Sequence, residues 1–190
     1  AELMYIDFAT LAMDQIVNQA AKIHYMFGGQ FSVPVVIRSQ QGTGRGAGAQ
    51  HSQSLESWFV HIPGLKVIAP AAPRDAYGLL KAAIRDPNPV MFLEHKGLYA
   101  VKGTVEDEEF VIPIGSADIK RPGTDVTLIT YSRMLGLALD VAEKCAADGV
   151  SVEVVDLRTL KPLDLDTLAE SARRTGRVVI LHEAVKVGGL

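Results

Sequence analysis

The chain has 190 residues and a single cysteine, Cys145, so an intrachain disulfide and a thiolate zinc cluster are both excluded, and the usage fits a reducing compartment. An excess of one charge is also missing. Nineteen Lys and Arg against 22 Asp and Glu leave a formal net charge of -3, which offers no basic face to a nucleic acid. No apolar run approaches the roughly 20 residues of a membrane helix, so no membrane partner is expected. Nucleotide loops are missing too: no glycine run is followed by Lys and then Ser or Thr, and none reads G-x-G-x-x-G ahead of a helix. The first residues carry no charged leader, no hydrophobic leader core and no initiator Met, so they read as the middle of something longer. With 48% hydrophobic and 22% charged residues, the expectation is a globular, cytoplasmic protein of one large or two small domains.

What the chain does have is concentrated between Val33 and Gln53. Val33 to Ile37 give a short buried-strand signal that ends in Arg38 and a loop with glycine at 42, 44, 46 and 48. Glycine lets backbone approach a ligand or another chain closely, and this loop delivers His51 between two glutamines and two serines. On composition alone, a surface connection with a structural histidine is the commoner arrangement. The loops after the carboxyl ends of parallel strands are nevertheless where α/β proteins bind ligands, which makes His51 the leading site candidate.

Apolar density predicts an extended segment over 1–8. A helix is predicted through Leu11, Ala12, Ile16, Ala20, Ile23 and Phe27, stopping at Gly28 and Gly29. A short amphipathic stretch follows over 54–61, where Trp58 and Phe59 are core or interface anchors. The pattern then predicts a strand over 65–70, a helix over 71–84 opened by Pro73 and Asp75, and a strand over 89–94. Such alternation predicts a parallel sheet with right-handed crossovers. The acidic run 106–109, with Pro113, Pro122, Gly115 and Gly123, marks a connection. The expected division is a first domain over 1–100, a linker over 101–124 and a second α/β unit over 125–190. In that second unit, strands are expected over 125–131, 152–156 and 177–181, and helices over 135–148 and 164–174, with Asp164 as cap. The second sheet looks unfinished at 188–190.

The segments DQIVNQAAKIHYMFGG, VIRSQQGTGRGAGAQHSQSLESWFVHIPGLKVIAP, LLKAAIRDPNPVMFLEH, SVEVVDLRTLKPLD and TGRVVILHEA together carry a family resemblance. They resemble the β subunit of the thiamine-diphosphate-dependent first component of 2-oxo acid dehydrogenase complexes, of the pyruvate and acetoin type. The likeness runs over essentially the whole chain. It implies a transketolase-like pyrimidine-binding domain, a parallel sheet with helices on both faces, followed by a transketolase C-terminal α/β domain, both incomplete. It also implies residue roles. Phe8 matches an aromatic against the aminopyrimidine of thiamine diphosphate, and Met4 an apolar contact to the same ring. His51 matches the histidine that faces the substrate and the incoming lipoyl group, where an imidazole of ordinary pKa about 6.5 can give or take a proton. Val35, Ala83, Ile84, Asp86 and Asn88 match positions whose oxygens hold a potassium ion, expected beside the glycine loop; a plain helix-stopping turn is the alternative reading of Asp86 to Pro89.

The resemblance further implies an α2β2 assembly in which the α subunit supplies the diphosphate and magnesium site. The substrate would be pyruvate or acetoin, with the acyl unit passed to the lipoyl groups of an acyltransferase core. Two departures stand out. The family's activating glutamate precedes Ala1, and Glu2 matches a different position, so this stretch alone is expected to be inactive. No G-D-G cation motif occurs either. A reading of another class is an assembly module docking on the acyltransferase. A transketolase or deoxyxylulose phosphate synthase is disfavoured by the AQHSQS motif. The segment FLEHKGLYAVKG leans towards acetoin and bacterial pyruvate members.

Overall fold

A computed structural model describes residues 1–190 as two sheets with helices packed on them. The first sheet has the order β1 (Glu2–Leu3), β2 (Val36–Gln41), β4 (Val90–His95), β3 (Lys66–Ile68) and β8 (Thr159–Lys161). The second has the order β5 (Asp118–Arg121), β7 (Val152–Asp156), β6 (Val126–Thr130) and β9 (Val178–Leu181). Pairing is parallel inside each sheet, as expected, while β8 and β5 join their edges antiparallel and make both sheets mixed. The central strands are buried on both faces, as VMFL of β4 and VEVVD of β7 illustrate, and in β4 this shows as a continuous apolar run.

The N-terminal segment departs from its prediction. Only Glu2 and Leu3 are extended, and a 3-10 helix runs over Ile6–Ala12. Ile6 and Ala9, three residues apart, are both fully buried, so the apolar density of 1–8 has a helical period rather than an extended one. The predicted following helix is broken into a π-helical stretch, Gln15–Ala20, and α1 (Ile23–Met26). Of its expected core positions, Ile16 is buried, whereas Leu11 is 89% and Phe27 50% exposed.

The strand expected over 33–37 lies instead at Val36–Gln41. Pro34 has no N–H for a ladder and stays outside it, while the polar run Arg38 to Gln41 is drawn in by pairing with β1 and β4. Helix α2 (Glu56–Val60) buries Phe59 completely but leaves Trp58 44% exposed, so only the first of these two anchors is core. Helix α3 (Pro73–Arg85) begins at Pro73 as predicted. In the second unit, α4 (Met134–Ala147) and α5 (Leu165–Thr175) match their predictions, and the Asp164 side chain caps α5 by accepting the Thr167 N–H at 3.1 Å.

Strand β5 falls inside the linker expected over 101–124, and the acidic run is laid along α3. Arg74 pairs with Glu106 at 2.6 Å and Arg85 with Glu109 at 2.5 Å. A deeper ionic cluster fastens α3 to the second unit: the fully buried Asp75 carboxylate accepts from Lys120 at 2.7 Å and from Arg158 at 3.3 Å. The main apolar core is also shared. Ile6, Phe59, Met91 and Leu93 belong to the same cluster as Tyr131, Val155, Leu157 and Leu160.

Candidate functional site

The glycine loop leaves β2 at Gly42 and is closed by the Gly42 N–H, which donates to the Gln53 carbonyl at 2.9 Å. His51 ends a 3-10 turn, Ala49–His51, and its ring stands edge-on to two aromatics of the N-terminal segment. The ring centroid lies 4.4 Å from that of Tyr5 and 5.3 Å from that of Phe8, with interplanar angles of 76° and 83°. Tyr5 and Phe8 are themselves edge-to-face at 6.4 Å. Edge-to-face packing of this kind fixes ring planes and adds to simple burial. The Lys96 ammonium, only 1% exposed, donates to the His51 carbonyl and lies 5.7 Å over the Tyr5 ring. Gln53 donates to Asp7 at 2.9 Å and so ties the other side of the loop to the same segment.

The structure thus brings His51 and Phe8 together, with Phe8 40% exposed towards open space. Met4 lies on the short connection between β1 and the 3-10 helix and is 71% exposed. Tyr5 and Lys96 were not singled out from sequence. An apolar run hides Tyr5, and a lysine after a strand reads as a solvated tip. An exposed, ring-lined position beside an imidazole suits a flat heterocycle, so Phe8 and His51 fit a bound thiamine ring on the chemistry of their side chains.

The expected potassium positions are adjacent in part. The Val35 carbonyl accepts the Val90 N–H at 2.9 Å, and the Val33 N–H reaches the Pro87 carbonyl at 3.0 Å, so the start of β2 meets the turn 86–89. Ala83 accepts from the Asp86 N–H at 3.3 Å, and Ile84 is exposed. One Asp86 oxygen accepts from the Asn88 N–H and side-chain amide, both at 2.9 Å, while the other is held by the Lys66 ammonium. These contacts hold the Asp86 carboxyl below the usual carboxylate range against the opposing effect of burial. The Lys66 ammonium thus already places a positive charge at this turn. The set also lies at the far end of β2 from the glycine loop, not beside it, because six residues at about 3.3 Å each separate the two by roughly 20 Å.

A second polar group lies where the carboxyl ends of both sheets meet. His95 ends β4 and accepts the Gly97 N–H at Nδ1 (3.0 Å), so its proton is on Nε2, 2.8 Å from Glu183. Burial lowers the His95 pKa, with Arg133 and Lys96 adding to the effect and Glu183 opposing it. Glu183 also accepts from the Thr43 N–H and hydroxyl, at 2.5 and 2.7 Å, and these bonds, with His95, outweigh its burial and keep it below the usual range. The same rule that selected His51, position after a strand's carboxyl end, would have selected His95. An apolar hollow that His95 also lines, formed by Ala76, Tyr77, Leu80, Phe92 and Tyr99 against α3, includes neither His51 nor Phe8.

Two parallel-cored sheets whose carboxyl ends converge on a histidine loop and an aromatic slot define an α/β protein of transketolase-like build. The chain belongs to that family: residues 1–102 match the transketolase pyrimidine binding domain and residues 115–190 the transketolase C-terminal domain. It is 54% identical, over 97% of its length, to the acetoin:2,6-dichlorophenolindophenol oxidoreductase subunit beta of Cupriavidus necator. It is 48% identical over its whole length to the pyruvate dehydrogenase E1 component subunit beta-1, mitochondrial, of Arabidopsis thaliana, and 46% identical to the 2-oxoisovalerate dehydrogenase subunit beta of Bacillus subtilis. It covers 54%, 53% and 58% of those proteins, so it spans about half the length of the curated relatives it matches. Among solved structures, a split-gene transketolase described as an inactive β4 tetramer superposes with a TM-score of 0.81 at 27% identity, over all of this chain and 58% of that one.

Proposed function

We propose that this chain is part of the β subunit of a thiamine-diphosphate-dependent dehydrogenase component that decarboxylates pyruvate or cleaves acetoin and transfers the acyl unit to lipoyl groups. The observation that carries the reading is the His51, Tyr5 and Phe8 cluster at the carboxyl edge of the first sheet, in a chain so similar to such β subunits. Bound thiamine diphosphate, with magnesium on an α subunit, supplies the carbon nucleophile. This chain's residues orient and protonate. Phe8 and Met4 offer apolar surface to the pyrimidine ring, Tyr5 and the Lys96 contact hold the His51 turn, and the imidazole moves a proton at the substrate oxygen. The proposal includes an α partner in an α2β2 assembly, an acyltransferase core and a cytoplasmic location. No helix is long and apolar enough to cross a membrane. A potassium ion at Val35, Ala83, Ile84, Asp86 and Asn88 belongs to the same reading, supported by the contact between Val35 and the turn.

The test is turnover by the full-length β chain produced with its α partner, thiamine diphosphate and magnesium. The assay follows 2,6-dichlorophenolindophenol reduction on pyruvate, acetoin and 2-oxoisovalerate. Turnover of pyruvate or acetoin is the expected result. Bound cofactor with no turnover of any of the three would overturn the proposal.

A further inference from the structure

Between the two sheets lies a small cavity with room for about one water-sized sphere. Gln41 at the end of β2, Glu56 at the start of α2 and Ser132 after β6 line it, and they are 3%, 1% and 5% exposed. Gln41 Oε1, Glu56 Oε2 and Ser132 Oγ are all shielded from solvent and have no hydrogen-bond partner. Buried polar atoms are nearly always paired, so three orphaned oxygens around one cavity call for an occupant. Because the atoms are inside the fold, no partner subunit reaches them. The occupant has to be a water or a small ion.

Charge decides between these. The Glu56 carboxylate has one partner, the Tyr131 hydroxyl, which donates to Oε1 at 2.6 Å and brings no positive charge. Burial and that carboxylate push the Tyr131 hydroxyl far above the ordinary phenol range, so it stays a donor. The other charged residues in the wall are Glu183 and Arg133, and His95 completes it as a neutral imidazole. Glu183 is met by His95 and Thr43, and the Arg133 guanidinium is directed to the Thr43 carbonyl at 3.4 Å. Two carboxylates and one guanidinium leave one negative charge in the wall itself, the neighbouring Lys96 ammonium being directed to the His51 carbonyl. A water would satisfy the hydrogen bonds and leave that charge buried, which is costly.

We propose that this cavity is a monovalent cation site, filled by a potassium-sized ion held by Gln41 Oε1, Glu56 Oε2 and Ser132 Oγ, that joins the two units. A carbonyl, a carboxylate and a hydroxyl are the hard oxygen donors such an ion takes, and the cavity matches an ion close to water in size. The site is distinct from the Asp86 turn and does not depend on the proposed reaction.

The experiment uses the full-length assembly crystallised in rubidium chloride, with anomalous scattering read at this cavity. A rubidium peak within coordination distance of the three oxygens is the expected result. A peak of water strength with no anomalous signal would overturn the proposal. In solution, exchanging N-methylglucamine chloride for potassium chloride at equal ionic strength should raise the melting temperature by about 2–4 °C. Glu56→Gln should abolish that rise, while Asp86→Asn, which touches only the other candidate position, should leave part of it. A potassium response undiminished in Glu56→Gln would place the effect elsewhere. Since the rubidium measurement is made on the unmutated protein, it decides the matter even if Glu56→Gln folds poorly.

Discussion

Gly42→Ala tests whether the glycine loop is built around His95. Gly42 has φ +92, and a Cβ there would fall 2.0, 2.3 and 2.7 Å from three atoms of the His95 imidazole. That ring is 3% exposed and held on both sides, by the Gly97 N–H and by Glu183, so it has nowhere to move. Alanine in a sparsely populated backbone region costs about 1–3 kcal/mol, and breaking the buried His95 to Glu183 bond a further 1–3 kcal/mol or so. The expected destabilisation is roughly 2–6 kcal/mol, read by urea unfolding of the full-length chain with its partner. His95→Ala removes the obstacle, so Gly42→Ala in that background should cost only the backbone strain. The double-mutant cycle should therefore show a coupling of about 1–3 kcal/mol. If Gly42→Ala lies within about 0.5 kcal/mol of wild type, or adds strictly to His95→Ala, the steric argument is wrong.

Three other predictions concern the site and its electrostatics. In the assembled enzyme, His51→Ala should lower acyl transfer by roughly 10²–10⁴ while costing only about 1–2 kcal/mol of stability from the lost packing on Tyr5 and Phe8, and full turnover would remove His51 from the mechanism. Phe8→Ala should weaken thiamine diphosphate binding by about 1–3 kcal/mol in calorimetric titration; an unaltered dissociation constant would return Phe8 to plain packing. Burial raises the Asp156 carboxyl to about 7, with nearby Asp75 contributing and Lys120 and Arg158 opposing. The folded chain then keeps a proton that the unfolded chain releases near pH 4, so this group's contribution to stability is lost as pH rises from about 4 to 7. Asp156→Asn should gain on wild type across that window and hold the gain at pH 8, as measured by unfolding at several pH values; a difference independent of pH would contradict it.

The sequence made the glycine loop, the order of α3, β4, β6, α4, β7 and α5, and the Asp164 cap legible, because each rests on local patterns. Gly42 punctuates a strand, Pro73 opens a helix, and the valines of VEVVD mark a strand. What it hid depends on distant partners. The polar residues 38–41 become strand only because β1 and β4 flank them. Tyr5 precedes and Phe8 sits on a 3-10 helix whose three-residue period looks like a strand in so short a window. The His95 to Glu183 contact spans 88 residues of sequence and carries no local sign. Strands β5 and β8, of four and three residues, were too short for any alternation to show.

Strand β8 has a mechanical meaning. The chain crosses into the second unit at β5, runs through β6 and β7, and then returns Thr159 to Lys161 to the edge of the first sheet before resuming α5. Lys161 fastens that return by donating to the carbonyls of Val60 and Ile62, at 2.7 and 2.8 Å. The two units are therefore laced rather than hinged. Neither can swing open without peeling a strand from its neighbour, so they should melt in one transition, and a pulling force applied across the junction should meet a β8 clamp loaded in shear before either sheet yields.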